Sequence, residues 1–258
     1  MSSRPQPAVL SRLYLGAVLP CLTDLAEQDG SVREILAGMR GSIVFMILGG
    51  PSATLRLESG AITWQAGVGR APAVILAFFG DRHLNAFFSG KKWAAPVPLW
   101  GGWRVGLLTR FSKLARRLEE VLDGEPSVLE SAAGRRLHAR LLLMVAGLAL
   151  HPLAQGDAPT RALMQTLPRG LASFTIAGES RATVWFEHGS NRVGWSEPPR
   201  KPEVCVVFSD ITTAYEAMRE EIDTLAAVGS GRIRVDGLVP LADGLNAAME
   251  RLRVYLPD

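Results

Sequence analysis

Very little in this 258-residue chain is equipped for chemistry. It has two cysteines, Cys21 and Cys205, in no CxxC spacing and at unmatched places, so a disulfide framework and a thiolate zinc site are both excluded as organising features. It has four histidines, His83, His138, His151 and His188, none at a ligand spacing. The one short glycine pair, Gly67 and Gly69, lacks the spacing and the following helix of a phosphate-cradling loop. No nucleophile, base and orienter assemble along the sequence, and no metal or cofactor is expected. No apolar run reaches the length of a bilayer span; the longest, residues 141–150, lies between Arg140 and His151 and reads as a buried helix face. The apolar stretch after Arg4 is interrupted at Ser11-Arg12, and Pro20-Cys21 offers no small-residue cleavage pattern, so the expected location is the cytoplasm. The net charge of +3 comes from dispersed cations, with clusters only at Lys113/Arg116/Arg117 and Arg135/Arg136/Arg140. That distribution argues against a nucleic-acid partner and leaves transient contact with anionic headgroups open.

What the chain does have is an internal repeat, offset by half its length. Arg40-Gly41 recurs as Arg169-Gly170, and Ala53-Thr54, Glu58 and Gly60 recur as Ala182-Thr183, Glu187 and Gly189. Phe79 and Asp81 align with Phe208 and Asp210; after one inserted residue, Gly101 and Arg104-Val105 align with Gly231 and Arg234-Val235. Shared order and near-constant spacing indicate a duplicated unit, divided here into residues 1–126 and 127–258 around a Gly124–Ser127 linker.

Periodicity gives each half the same elements. Residues 8–26 suit a buried helix despite Pro20. Ser31 with Glu34 forms a capping box for a helix from Val32 to about Met39, with Thr160 in the matching place. Strands are expected at 42–48, 53–58 and 61–66, the last two joined by a Ser59-Gly60 turn, and at 73–79. Asp81 and Asp210 stand at helix N-cap positions, the second ahead of an amphipathic helix over 211–227. Residues 231–237 read as a last strand, 240–255 as a closing helix, 109–122 as its counterpart, and 131–150 as a long helix opening the second half. Short turns between strands make the sheet mostly antiparallel, so the fold class is α+β: two units, each a five-stranded sheet covered by helices.

The run from Val204 through Phe208-Ser209-Asp210, the helix after it, the strand to Gly237 and the terminal helix resemble the C-terminal half of the sterol carrier protein (type two) family. The likeness covers about residues 160–256 and, through the repeat, 31–122 more loosely, and is closest in kind to bacterial proteins with two such domains in tandem. It implies a non-enzymatic protein that holds a sterol, fatty acid, acyl-CoA or similar lipid in an apolar tunnel between sheet and helices. The first half departs from the pattern at residues 91–102, where two prolines replace a helical continuation.

The residues expected near such a gap are Phe78, Phe87, Phe88, Trp93, Trp100 and Trp103 in the first half, with Trp195, Phe208, Tyr215, Met218, Ile222, Leu245 and Met249 in the second. Two other readings stand beside the lipid carrier. One is a scaffold with filled cores serving a protein partner or a homo-oligomer. The other is an acyl-thioester enzyme using Glu187 or Asp210 as base.

Overall fold

A computed structural model describes residues 5–58, 60–219 and 221–256. Arg4 and the Ser59 position of the expected turn lie outside the described residues. The chain divides into two compact units, Met1–Glu120 and Val121–Asp258.

The first unit holds strands β1 (Arg40–Ile47), β2 (Ser52–Glu58), β3 (Ala61–Ala66), β4 (Val74–Phe78) and β5 (Val97–Trp100), in the sheet order β3-β2-β1-β4-β5. The neighbours are antiparallel except β1 and β4, which run parallel with Ile43 opposite Val74. Because β3 also runs parallel to β4, the chain between them cannot turn back as a hairpin and must cross over β2 and β1. Residues 67–73 make that crossing. The buried Thr54 hydroxyl donates to the Gly67 carbonyl at 2.7 Å and accepts from the Gly69 N–H at 2.9 Å, and the Ala73 N–H donates to the Ser42 carbonyl at 3.1 Å. The glycine pair that failed as a phosphate loop therefore serves this crossing. Ile43, Val44 and Phe45 are successive and all buried, so β1 is covered on both faces.

The second unit repeats this topology with β6 (Gly170–Ile176), β7 (Thr183–His188), β8 (Arg192–Trp195), β9 (Val204–Phe208) and β10 (Ile233–Gly237), ordered β10-β9-β6-β7-β8 with β6 and β9 parallel. Register corrects two of the sequence alignments. Ile47 faces Phe78 and Ile176 faces Phe208, so Phe78, not Phe79, is the equivalent of Phe208. The inserted residue thus lies in the crossover, before the fourth strand. Asp81 is accordingly the first helical residue after a Gly80 cap and accepts from the Ser11 hydroxyl, whereas Asp210 is a true N-cap whose carboxylate accepts from the Thr213 N–H at 2.8 Å.

Arg104-Val105 opens a helix, while Arg234-Val235 lies in β10, so that pairing fails too. The equivalent of Gly101 is Gly237. Both have positive φ, +72° and +108°, and a Cβ on either would stand 1.9 Å or 2.1 Å from the carbonyl oxygen of the residue before the fourth strand, Ala73 or Glu203. Only glycine permits the last strand to leave the sheet that close to its neighbour.

Several helix boundaries move for identifiable reasons. Helix Gly30–Leu36 is capped by Asp29, not Ser31, which donates its own hydroxyl to Asp29. Helix Ala158–Thr166 is capped in the same way by Asp157, with Thr160 donating to it. The expected helix over 211–227 is two helices, Ile211–Met218 and Thr224–Gly229, because Asp223 caps a new start by accepting from the N–H groups of Leu225 and Ala226. The closing helix is Val239–Glu250 followed by a 3-10 turn, Arg251–Val254, and the first unit's last helix starts earlier than expected, at Val105.

Near the N-terminus, Pro20 leaves a visible trace. It has no N–H to offer the Leu15 carbonyl, the helix widens into a π turn over Tyr14–Val18, and the Trp64 indole N–H donates to Leu15 O at 2.9 Å instead. The linker residues 124–127 form a turn that enters the short helix Pro126–Leu129.

Two helical stretches, Pro7–Gln28 and Ala132–Gly156, are long and apolar enough by length and composition to cross a membrane, contrary to the reading of the sequence. The second runs straight through Arg140 and His151. With 83% of its most apolar stretch buried, it has the character of a core helix. Its Arg140 is 1% exposed, donates to the Ser180 carbonyl at 3.0 Å and lies 5.8 Å from the centre of the Trp195 ring. A residue read as the edge of an apolar run is an internal anchor.

One ionic device recurs. Asp29 pairs with Arg117 at 2.8 Å, and Asp157 accepts from Arg251 at 3.2 Å and from the Tyr255 hydroxyl at 2.8 Å, tying the helix before the sheet to the end of each unit. Burial alone would raise the pKa of Asp157, but the hydrogen bonds from Arg251, Thr160 and Tyr255 outweigh it and hold the carboxyl below its ordinary value; Asp29 is lowered likewise against its own burial by Ser31 and Arg117.

A carboxylate lowered on folding contributes its full stability above the unfolded value near 4 and loses it as pH falls through the lower folded value. Asp157→Asn is therefore expected to cost about 2–3 kcal/mol at neutral pH, and to flatten the loss of stability below about pH 4, both read from urea unfolding at a series of pH values. Gly237→Ala should cost at least about 2 kcal/mol in the second unit's transition, through the clash with Glu203 O and the forced positive φ. An unchanged midpoint would refute the close-approach role.

Candidate functional site

The structure puts the expected gap-lining residues in several different surroundings. In the first unit Phe78 is fully buried and meets the half-buried Phe87 at 5.4 Å; Phe88 stacks on Tyr14 at 4.7 Å and meets Phe45 at 6.1 Å. In the second unit Phe208, Leu245 and Met249 are buried, with helix Val239–Glu250 packed on β9 and β6. Trp195 lies over Arg140, and Tyr215 sits between the His138 ring at 5.6 Å and the Arg219 guanidinium at 5.7 Å. Met218 and Ile222 are half-buried, Ile222 in the break between the two short helices.

The three first-unit tryptophans are not in the sheet–helix gap. Trp93, Trp100 and Trp103 are 72%, 55% and 69% exposed. The prolines that broke the helix at 91–102 delivered an edge strand, β5, and placed these rings on the outside.

The recurring glutamates and Asp210 are engaged. Glu58 pairs with Arg56 at 2.6 Å; Glu187 accepts from the Ser190 hydroxyl at 2.7 Å and from Arg200, and both partners lower its pKa. Asp210 is held low first by the Thr213 N–H of the helix it caps.

An open cleft of about 480 Å³ lies in the second unit, where three segments meet. The end of helix Ala132–Gly156 contributes Ala154, helix Ala158–Thr166 contributes Arg161, Met164 and Gln165, and the β7–β8 turn contributes His188, Gly189 and Asn191; Leu167 and Arg169 complete the wall. Ala154 and Met164 are buried and Leu167 half-buried, so the cleft has an apolar side. The lining also carries two cations, Arg161 and Arg169, which form no ion pair among the described residues. His188 Nδ1 is buried without a hydrogen-bond partner there. The turn is fixed by Asn191 at φ +53°, whose carbonyl accepts from His151 Nδ1 at 2.5 Å.

None of the cleft residues was singled out as a site from sequence. Arg169 was visible only as a repeat marker and His188 as an isolated histidine. The available signal was Arg161, Met164 and Gln165 at helical i, i+3, i+4 spacing on a short capped helix.

No protein-family model matches the chain, and no curated protein matches it. Among solved structures the chain is similar to the sterol carrier protein domain 2 of Helicoverpa armigera, at 16% identity and TM-score 0.34, over 43% of this chain and 87% of that one. It is also similar to sterol carrier protein 2 like 2 from Aedes aegypti, at 15% identity and TM-score 0.30, over 42% and 95%.

Proposed function

We propose that the protein binds and transfers an amphipathic lipid with an anionic head, as a cytoplasmic carrier and not a catalyst, built from two sterol-carrier-like domains in tandem. The observation that carries this reading is the second unit's cleft, whose lining combines Met164, Leu167 and Ala154 with two arginines, Arg161 and Arg169, that form no ion pair among the described residues. Its volume of about 480 Å³ falls within the usual range for small-molecule sites. Arginine presents a planar fork suited to a carboxylate or phosphate.

The carrier reading is supported further by the structural employment of Glu58, Glu187 and Asp210, and the cytoplasmic one by two cysteines that are both free. A second reading, a scaffold with filled cores, draws on the packing of Phe78, Phe208 and Leu245.

Native mass spectrometry followed by organic extraction separates them. The expected result is a co-purifying acidic lipid, together with a fluorescent fatty acid that binds the wild type and binds the Arg161→Glu/Arg169→Glu variant at least about tenfold more weakly. A clean apo mass, unchanged after incubation with fatty acids, acyl-CoA and sterols, would favour the scaffold.

A further inference from the structure

The first unit exposes an apolar surface that its own fold leaves uncovered. Strand β5 is the terminal strand of its sheet, and all four of its residues, Val97 to Trp100, are exposed. Beyond one end of the strand, Phe79 stacks on His83 at 5.5 Å and His83 on Trp93 at 6.4 Å, with His83 Nε2 3.2 Å from the Ala95 carbonyl. At the other end, Trp100 meets Trp103 edge-on at 5.2 Å. Pairing of Ala77 with Val97 and of Ile75 with Trp100 joins the two clusters along one sheet edge. Phe79 and Trp93 are each 72% exposed, and Leu99 and Val105 add to the surface at 51% and 64%. At about 200 Å² per ring, the four aromatic side chains alone present roughly 500 Å². That is at the upper end of the largest patch on an ordinary monomer, and such patches mark interaction sites.

Cations dominate the stretch that builds this edge. Between Phe79 and Val105 it holds Arg82, Lys91, Lys92 and Arg104, which form no ion pair among the described residues, against one acid, Asp81, which accepts from the Ser11 hydroxyl. Tryptophan is the residue that settles at the boundary between hydrocarbon and headgroup, and each lysine or arginine beside it adds attraction to an anionic leaflet. The Pro98 ring also removes a backbone donor from the edge, which disfavours capture of another strand.

We propose that this edge, centred on Trp93, Trp100 and Trp103 and flanked by Lys91 and Lys92, docks the protein on an anionic membrane surface. The inference stands apart from the cleft: docking is read on vesicles without cargo, and cargo is read in solution without vesicles.

The test uses the full chain with vesicles of phosphatidylcholine alone or mixed with phosphatidylglycerol. Wild type is expected to co-float with the mixed vesicles and to shift its tryptophan emission to the blue, with binding weakened by salt. Trp93→Ser/Trp100→Ser/Trp103→Ser should lose at least about tenfold in vesicle partitioning, with unchanged far-UV circular dichroism and unfolding midpoint, since all three rings are exposed. Lys91→Glu/Lys92→Glu should abolish the preference for the anionic vesicles. Three results would overturn the proposal: no co-flotation of wild type with either vesicle, equal binding by the tryptophan variant, or a wild-type dimer that ignores vesicles and dissociates in that variant. The last would make a second copy the occupant.

Discussion

Everything else in each unit is arranged around a parallel pair of strands. β1 beside β4, and β6 beside β9, cannot be reached by a meander of hairpins, so in each half a segment of chain is laid across the sheet between the third and fourth strands. That crossing has polar backbone to satisfy on an otherwise apolar surface, and the two halves satisfy it differently. In the first, the Thr54 hydroxyl and Ser42 pin the crossing directly to the strands beneath. In the second, Glu203 accepts from the Leu171 N–H at 2.5 Å and from Arg200, and Arg200 also holds Glu187 at the far end of β7. Of the two recurring glutamates, Glu187 thus belongs to the machinery of the crossover, whereas Glu58 pairs with Arg56.

Around the covered central strands the two units leave two different kinds of surface. The second unit keeps an open cleft lined by buried methionine and alanine and by two arginines that form no ion pair among the described residues. The first keeps an exposed aromatic edge. The cleft proposed to take a ligand and the edge proposed to dock on a surface fall in different copies of one fold. Duplication allows this, because two copies share the demands of stability while each is free to specialise.

The sequence disclosed element types and order well, because alternation and helical period report burial directly. It misplaced the register of the repeat because the inserted residue lies in a loop, where identities are few: Phe79 and Asp81 align by letter with Phe208 and Asp210, whereas strand pairing aligns Phe78 and Gly80 with them. The site was less legible. Exposed and buried tryptophans look alike in one dimension, and Trp93 and Trp103 differ from Trp185 only in what the fold puts against them. The cleft draws on three segments whose meeting depends on where Asp157 starts a helix and where Asn191 turns a strand, neither of which period or composition reveals.

Gly101 and Gly237 carry a consequence for how such a chain changes over time. Each fixes the exit of the fifth strand against the entrance of the fourth, and Phe78 and Phe208 fix the other end of the same loop of chain. Between those fixed points the halves have little in common: one helix, a 3-10 turn and a short strand in the first, two helices and a longer strand in the second. The frame therefore behaves as a socket, and the chain between phenylalanine and glycine as an exchangeable insert. New surfaces can be fitted there by lengthening, shortening or replacing one continuous stretch of sequence, while the parallel pair that organises the core is left as it was.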